Sequence, residues 1–534
     1  MPPKKRKADA ATSSAPTKKT QKIADAEFLN SLSSSPAPDP KQAKNLAVQL
    51  DEQFYASSNG VVYVDDEGLV YDACLNQTNI TGNNNNNKFY FIQLIKAPKG
   101  TSYYCHTRWG RVGETGKSNT NSYGSLEDAM ADFGKKFKDK TGLKWENRKD
   151  PPKEKKYTYL EKSYDVQEEP EVKVEDNNPV VESKLPPQSQ ELLKFIFNDD
   201  HFQTTMRQMG YNNEKLPLGK LSKATLKAGF NILQEIDEVL RNKDTAMEKY
   251  GKHWSWVCDE ISSKYYTTIP HITGRAKPES IDDLDKVSDE AAMLDSLAEM
   301  CVSDTIKSAK GSPDEATVAL IDKQFDGLNL SEMTPLENDS GEFKHLRDYL
   351  NDTVGATHGF TYKVQDIFRI ERKGEKERFQ KSKYAKLTTS NKLLLWHGSR
   401  STNFGGILSQ GLRIAPPEAP VSGYAFGKGV YLADCSSKSA QYCASYNSNF
   451  TGLLLLVEAE LSDPMYEISS GDYHAEEKAK ETNCISTKGV GQTMPKGPVG
   501  PNTQLDKAGY LQYNEYIAYD VNQLRLRYLL KVQM

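Results

Sequence analysis

No run of 18 or more consecutive apolar residues occurs in the 534-residue chain, so no helix is expected to cross a membrane. Nor does an apolar stretch follow the first methionine, which leads straight into Lys4, Lys5, Arg6 and Lys7, and a secretory signal is not expected there. Cysteine is sparse: seven are scattered along the chain with no C-x-x-C pair and no histidines at zinc-ligand spacing. Neither a disulfide framework nor a zinc finger is expected. Two phosphate-binding motifs also fail. Residues 110–117 read G-R-V-G-E-T-G-K, but five residues separate Gly110 from Gly116 where a phosphate loop needs four. Gly427-Lys428-Gly429 starts like a dinucleotide fingerprint, yet Leu432 stands where the third glycine belongs and no strand-turn-helix unit surrounds it. Any dinucleotide is therefore held outside a Rossmann crevice.

Aromatic residues are nearly absent from positions 1–45, which are rich in Ala, Ser, Pro and Lys. Such a segment cannot bury enough surface to offset its ordering entropy, so it reads as a disordered basic tail. Its run Pro3-Lys4-Lys5-Arg6-Lys7 suits a nuclear localisation signal or nucleic-acid phosphates. The net charge of -4 hides this asymmetry, because residues 1–22 carry seven Lys/Arg against one Asp, and residues 86–150 carry thirteen against seven acidic side chains.

At about 150 residues per domain, the length predicts roughly three domains. Val61-Val62-Tyr63-Val64, residues 89–94 and Tyr103-Tyr104 leading to Trp109 are strand signals, and with a helix at 125–138 they predict a small β-rich domain over 50–160. Residues 165–187 are acidic, proline-bearing and free of aromatics from 165 on, which predicts a linker. Helical periodicity follows. Leu226, Phe230, Leu233, Ile236 and Leu240 share one face behind a Ser222 cap, further helices are expected at 188–209 and 288–308, and an all-α bundle spans 188–320. Strands return at 393–396, 453–457, 513–519 and 526–532, predicting an α+β domain over 340–534 with antiparallel sheet.

Three segments of that last domain carry candidate chemistry. Trp396-His397-Gly398-Ser399-Arg400 closes an apolar strand, where a side chain can project from a rigid element and a glycine admits a ligand to the backbone. Residues 423–434 read G-Y-A-F-G-K-G-V-Y-L-A-D and residues 437–442 read S-K-S-A-Q-Y, with Ser439 and Tyr442 expected on one helix face. Tyr513-Asn514-Glu515-Tyr516-Ile517 puts Glu515 in a strand on the face of Tyr513 and Ile517, where an acid is costly unless exposed, paired or functional.

Together with residues 403–420 (N-F-G-G-I-L-S-Q-G-L-R-I-A-P-P-E-A-P), these segments resemble the His-Tyr-Glu signature of the poly(ADP-ribose) polymerase type of ADP-ribosyltransferase. The resemblance implies NAD as substrate, no metal, and Glu515, His397 and Tyr431 as catalytic residues. It implies that His397 and Gly398 hold the ribose and nicotinamide amide, that Ser439 bonds that amide, and that Tyr431 and Tyr442 flank the ring. Ser399, Asn403 and Arg413 would line the adenosine side, with Gly406, Tyr424 and Lys438 also among the NAD-binding residues. Glu515 would bond the nicotinamide ribose and activate the incoming hydroxyl. These roles suit the reaction, since cleaving the nicotinamide bond builds positive charge on ribose that a nearby carboxylate stabilises.

Leu75-Asn76-Gln77-Thr78-Asn79 followed by Arg108-Trp109-Gly110-Arg111 resembles the tryptophan-glycine-arginine (WGR) domain found ahead of such catalytic domains. That likeness implies that Trp109 packs on sugar and base at a broken DNA end and that Arg111 meets phosphate, with a plain core position for Trp109 as the alternative. Residues 185–308, with Ile269-Pro270-His271 and Met293-Leu294-Asp295, resemble the family's helical regulatory domain. Asp295 and Glu299 would then lie on a helix facing the NAD cleft and block it until DNA loosens the domain; a purely stabilising bundle is the alternative. The expectation is a nuclear poly(ADP-ribose) polymerase activated by nicks and double-strand breaks with 5′ phosphate. It would modify itself, histones and other proteins, and no membrane partner is expected. A mono(ADP-ribosyl)transferase of the same architecture and a DNA-end-binding scaffold with a dormant site are the alternatives.

Overall fold

The computed structural model describes residues 48–54, 60–98, 102–162, 164, 182–213, 216, 218, 221–308, 319–495, 502–504 and 511–534. The basic tail, most of the expected linker, and Pro217, Gly219 and Lys220 lie outside the described residues.

The N-terminal unit is an antiparallel sheet of β1 (Val61–Val62), β2 (Asp72–Asn79), β3 (Asn86–Lys96), β4 (Tyr103–Arg111), β5 (Lys117–Tyr123) and β6 (Thr158–Leu160), in the order β5-β4-β3-β2-β6 with β1 also on β3. Helix α1 (Leu126–Thr141) starts where Ser125 Oγ accepts from the Asp128 N–H and stops at Gly142, whose φ of 73° suits a residue without Cβ. Period-two alternation along β3 then divides the chain's first core. Tyr90, Ile92 and Leu94 pack towards α1 with Phe133, Phe137 and Trp145, whereas Phe89 and Phe91 point the other way. That second face shares one apolar cluster with the helices that follow, including Leu226, Phe230, Leu233 and Leu294.

Those helices are α2 (Pro187–Ile196), α3 (Asp199–Gln208), α4 (Lys223–Arg241), α5 (Asp244–Tyr250), α6 (Trp254–Thr268) and α7 (Leu284–Lys307). The stretch expected as one helix at 188–209 is two, because Asn198 is extended and its side chain caps α3 by accepting from the His201 N–H. Ser222 caps α4 as expected, accepting from Thr225 N–H at 3.1 Å.

After α8 (Leu320–Gly327) come β7 (Leu330–Pro335), α9 (Gly341–Asp352), β8 (Lys363–Arg372), α10 (Glu375–Lys381), β9 (Lys392–Ser399), α11 (Phe404–Gln410), β10 (Val430–Leu432) and α12 (Ser436–Gln441). The remaining elements are β11 (Thr451–Glu460), β12 (Tyr466–Ile468), α13 (Ala475–Glu481), β13 (Ser486–Gly489), β14 (Gly491–Pro495), β15 (Asn502–Gln504), β16 (Leu511–Tyr513), β17 (Glu515–Ala518) and β18 (Leu524–Gln533). One sheet runs β7-β8-β18-β11-β9 and is antiparallel throughout. A second runs β10-β17-β13-β12, with β12 parallel to β13. Strand β11 is apolar on both faces: Leu453, Leu455 and Val457 enter one core, and Leu454 and Leu456 another. Cutting one of these leucines to alanine is expected to cost about 2–5 kcal/mol. The candidate site sits where β9, paired to the buried strand β11, meets the β10–β17 pair through the Trp396–Ala433 bridge.

Candidate active site

His397 and Gly398 lie near the end of β9, opposite Leu455 and Leu454 of β11. The strand is pinned by Trp396, fully buried, whose indole N–H donates to Thr353 Oγ1 at 3.0 Å and whose backbone exchanges hydrogen bonds with Ala433 at 2.8 and 3.0 Å. That bridge brings the 423–434 segment against β9, and His397 Nδ1–H donates to the Tyr431 carbonyl at 3.1 Å. Burial holds the imidazole below its ordinary value, so the ring is neutral with Nδ1 committed as donor and Nε2 left as an acceptor. Gly398 is required by close approach: a Cβ there would overlap the Ser439 carbonyl oxygen of α12.

Tyr431 faces Ile517 across the β10–β17 pair. Its hydroxyl accepts from Phe426 N–H at 2.9 Å and donates to the Gly427 carbonyl at 2.8 Å, which fixes the ring. Glu515 opens β17 and is paired: Lys438 Nζ lies 2.7 Å from its Oε1, with both side chains largely buried. Lys438 also donates to the Tyr513 carbonyl at 3.0 Å. The strand expected over 513–519 is interrupted at Asn514, so Tyr513 and Glu515 belong to different sheets, and the Tyr513 hydroxyl instead accepts from Thr357 N–H at 2.8 Å. Tyr442 caps α12 in helical geometry, its N–H donating to the Ser439 carbonyl at 3.1 Å; Ser439 is buried and Tyr442 is 62% exposed.

The other expected residues are covered by α7. Tyr424 Oη donates to Asp295 Oδ2 at 2.7 Å, Arg413 Nε donates to Glu299 Oε1 at 2.9 Å, and Ser296 Oγ donates to Asn403 Oδ1 at 3.0 Å. Asn403 passes the contact on to Ser399 Oγ at 3.0 Å, and Gly406 N–H donates to Ser303 Oγ at 3.0 Å. Ser296 and Ser303 were not singled out in the sequence, although they lie on the same helix face as Glu299, at i−3 and i+4 from it, which was the available signal. Burial pushes the Asp295 carboxyl up to about 6, against the Tyr424 hydrogen bond and the nearby Arg413 charge. Glu299 is raised by burial too, despite Arg413, and its Oε2 is buried without a hydrogen-bond partner. The contact thus carries a desolvation penalty that works against its ion pair.

Trp109 lies on β4, stacks on Tyr90 with ring centroids 6.0 Å apart, and is 36% exposed, so it is not a core aromatic. Arg111 turns towards the helical unit: its guanidinium donates to the carbonyls of Gly274 and, at 2.6 Å, Ala276, as well as to Asn85 Oδ1 at 2.7 Å. Asn76 Nδ2 donates to the Tyr266 and Thr267 carbonyls at 3.1 and 3.0 Å, capping the end of α6.

Among the described residues no group of three or more His, Cys, Asp or Glu side chains could hold a metal ion, and no helix is long and apolar enough to cross a membrane. Residues 340–534 match the family pattern of the poly(ADP-ribose) polymerase catalytic domain, residues 183–325 that of the poly(ADP-ribose) polymerase regulatory domain, and residues 71–152 that of the WGR domain. Poly [ADP-ribose] polymerase 2 of Zea mays is 40% identical over 490 residues, covering 88% of this chain and 71% of that protein. Poly [ADP-ribose] polymerase 2 of Homo sapiens is 39% identical over 491 residues, covering 87% of this chain and 79% of the human one. Poly [ADP-ribose] polymerase 1 of Gallus gallus is 36% identical over 481 residues, covering 87% of this chain and 45% of its own length.

Proposed function

The chain belongs to the poly(ADP-ribose) polymerase family, NAD-dependent ADP-ribosyltransferases, and we propose that it is a DNA-break sensor whose helix α7 occupies the NAD cleft until DNA releases it. One observation carries the reading: Asn403, Gly406, Arg413 and Tyr424, four of the residues expected to bind NAD, each form a hydrogen bond with α7. A helix that uses the ligand's own anchoring groups competes with the ligand, so any event that destabilises its docking raises the binding-competent fraction.

NAD supplies an ADP-ribosyl group whose bond to nicotinamide breaks with positive charge growing on ribose. The Glu515 carboxylate is suited to stabilise that charge through a ribose hydroxyl and to take the proton of an incoming acceptor hydroxyl. Neutral His397 accepts a ribose hydroxyl through Nε2. The Ser439 hydroxyl and the Gly398 backbone form the amide subsite, Tyr431 is the fixed aromatic wall, and Tyr442 closes from the open side. Lys438, seated on Glu515 in this state, keeps the carboxylate oriented.

Broken DNA and acceptor proteins are the partners. Nicks and breaks with 5′ phosphate as the preferred ends, histones and the chain itself as acceptors, and a nuclear address read from Lys4, Lys5, Arg6 and Lys7 complete the proposal. The partly exposed Trp109 supports DNA contact, because an aromatic face left to solvent is available for base or sugar stacking. Labelled NAD incubated with and without nicked duplex tests it: a DNA-stimulated ladder is expected, reduced about 100- to 10,000-fold by Glu515→Gln. A single discrete product would assign mono-transfer instead, and tight DNA binding without any label would leave a scaffold.

A further inference from the structure

Asp434 has no part in the roles above, yet it is built into the frame around Glu515. Its Oδ2 accepts from Asn514 Nδ2 at 2.8 Å and from Tyr516 Oη at 3.0 Å, the two residues that flank Glu515. Asn514 Oδ1 in turn accepts from Gly491 N–H at 2.9 Å. Four residues beyond Asp434, Lys438 donates to the Tyr513 carbonyl at 3.0 Å and meets Glu515 Oε1 at 2.7 Å. The 434–438 segment thus grips the Glu515 strand twice, by its side chains through Asp434 and by its backbone and carboxylate through Lys438. The next residue is Ser439, whose carbonyl abuts Gly398. One short segment therefore sets the spacing between the amide subsite and the carboxylate.

The grip matters because the strand is broken at Asn514, so no continuous ladder holds the approach to Glu515. Asp434 also sits there at a cost: burial pushes its carboxyl up, and its Oδ1 is buried with no hydrogen-bond partner. An apolar residue would fill the same place between Ala433 and Cys435 without that penalty, but it could not hold Asn514 and Tyr516.

We propose that Asp434 is a positioning residue for ADP-ribosyl transfer, fixing the direction of Glu515 by clamping Asn514 and Tyr516. This rests on the assignment of Glu515 made above. Misplacing a reacting group by an ångström costs about 100-fold in rate, with little effect on ground-state binding that other residues supply.

The full chain, activated by nicked DNA, provides the test. Asp434→Ala is expected to lower kcat for nicotinamide release about 10- to 100-fold, with KM for NAD changed less than about threefold. Asp434→Asn keeps a carbonyl oxygen that can accept both bonds and removes the unpartnered charge, so kcat is expected within about threefold of wild type. Amide hydrogen exchange gives a readout independent of turnover: residues 511–519 exchange faster in Asp434→Ala and at the wild-type rate in Asp434→Asn. Should Asp434→Ala fail to fold, Tyr516→Phe removes a single bond and is expected to lower kcat about 3- to 10-fold at unchanged KM. Wild-type kcat and exchange in these variants, a loss that only follows the folded fraction, or an Asp434→Asn chain as impaired as Asp434→Ala would overturn the proposal. Nicotinamide release that is insensitive to Glu515→Gln would overturn the Glu515 assignment and this proposal together, whereas normal Glu515 dependence beside a silent Asp434 overturns this proposal alone.

Discussion

Glu299 of the regulatory helix accepts from Arg413 of the catalytic domain through one carboxylate oxygen, while its other oxygen lies buried and unbonded against Gly406. The pair is both latch and liability. It ties α7 to the catalytic domain, and it does so with an incompletely satisfied charge.

Removing the latch is expected to uncouple activity from DNA. Glu299→Ala leaves Arg413 without its ion-pair partner in the docked state, and coupling energies of about 1–3 kcal/mol correspond to a 5- to 150-fold rise in NAD turnover without DNA. The ratio of DNA-stimulated to basal rate falls by the same factor. An unchanged basal rate, measured with DNA removed by nuclease, would mean that α7 does not limit access.

The Asp295 carboxyl gives a stability signature with a definite sign. Burial raises it from 3.8 to about 6, so the folded chain holds a proton that the unfolded chain has already released. Stability from this site is fully present below pH 3.8 and is lost as pH rises through about 6; above that the penalty is about 3 kcal/mol. Asp295→Asn keeps an acceptor for Tyr424 and removes the charge. It is expected to raise the thermal midpoint at pH 7.5 and to raise it by roughly half as much free energy at pH 5. A gain that is equal at both pH values would rule out titration of Asp295.

A methyl group at Gly398 tests the closest approach in the site. Its Cβ would overlap the Ser439 carbonyl, so β9 and α12 must part and the proposed amide subsite is lost. Gly398→Ala is expected to reduce turnover by at least about 100-fold while leaving DNA affinity unchanged. A fluorescence titration with labelled nicked duplex separates the two effects.

Trp109 and Arg111, two residues apart, are expected to fail differently. Trp109→Ala removes a stacking surface worth about 1–3 kcal/mol and should weaken DNA binding roughly 5- to 150-fold. Arg111 spends its donors on the Gly274 and Ala276 carbonyls of the helical unit. Arg111→Ala is therefore expected to hold DNA within about threefold of wild type yet lose much of the DNA stimulation of turnover. Equal losses of affinity in both variants would instead give Arg111 a phosphate contact.

Elements whose pattern is local were legible in the sequence. The apolar stripe from Leu226 to Leu240 and its Ser222 cap gave α4, and the apolar run at 453–457 gave β11. His397, Tyr431 and Glu515, more than a hundred residues apart at the extremes, are brought together at one sheet junction, which residue-by-residue periodicity could not reveal and family resemblance could. Other details escaped. Asn198 and Asn514 break a helix and a strand because their side chains find partners that compete with the regular ladder. The Lys438 pairing answers how an acid survives on an apolar strand, but its partner is 77 positions away and nothing in the local sequence names it. The direction of Arg111 depends on carbonyls from a separate unit.

The hydrogen bonds from Asn76 to the end of α6, and from Arg111 to the loop after it, join the β-rich unit to main-chain atoms rather than to side chains. Substitution cannot erase a carbonyl, so these bonds survive sequence drift in the helical unit as long as the local backbone path persists, unlike those that Thr78 and Ile80 N–H make to Thr267 Oγ1 and Ser263 Oγ. The burden of fit falls on the DNA-reading module. Exchanging it for one from a distant relative should succeed where an asparagine and an arginine occupy these two places and the apolar face of Phe89 and Phe91 that packs on the helices is kept, and should yield a chain that binds breaks without answering them where the asparagine and arginine are lost.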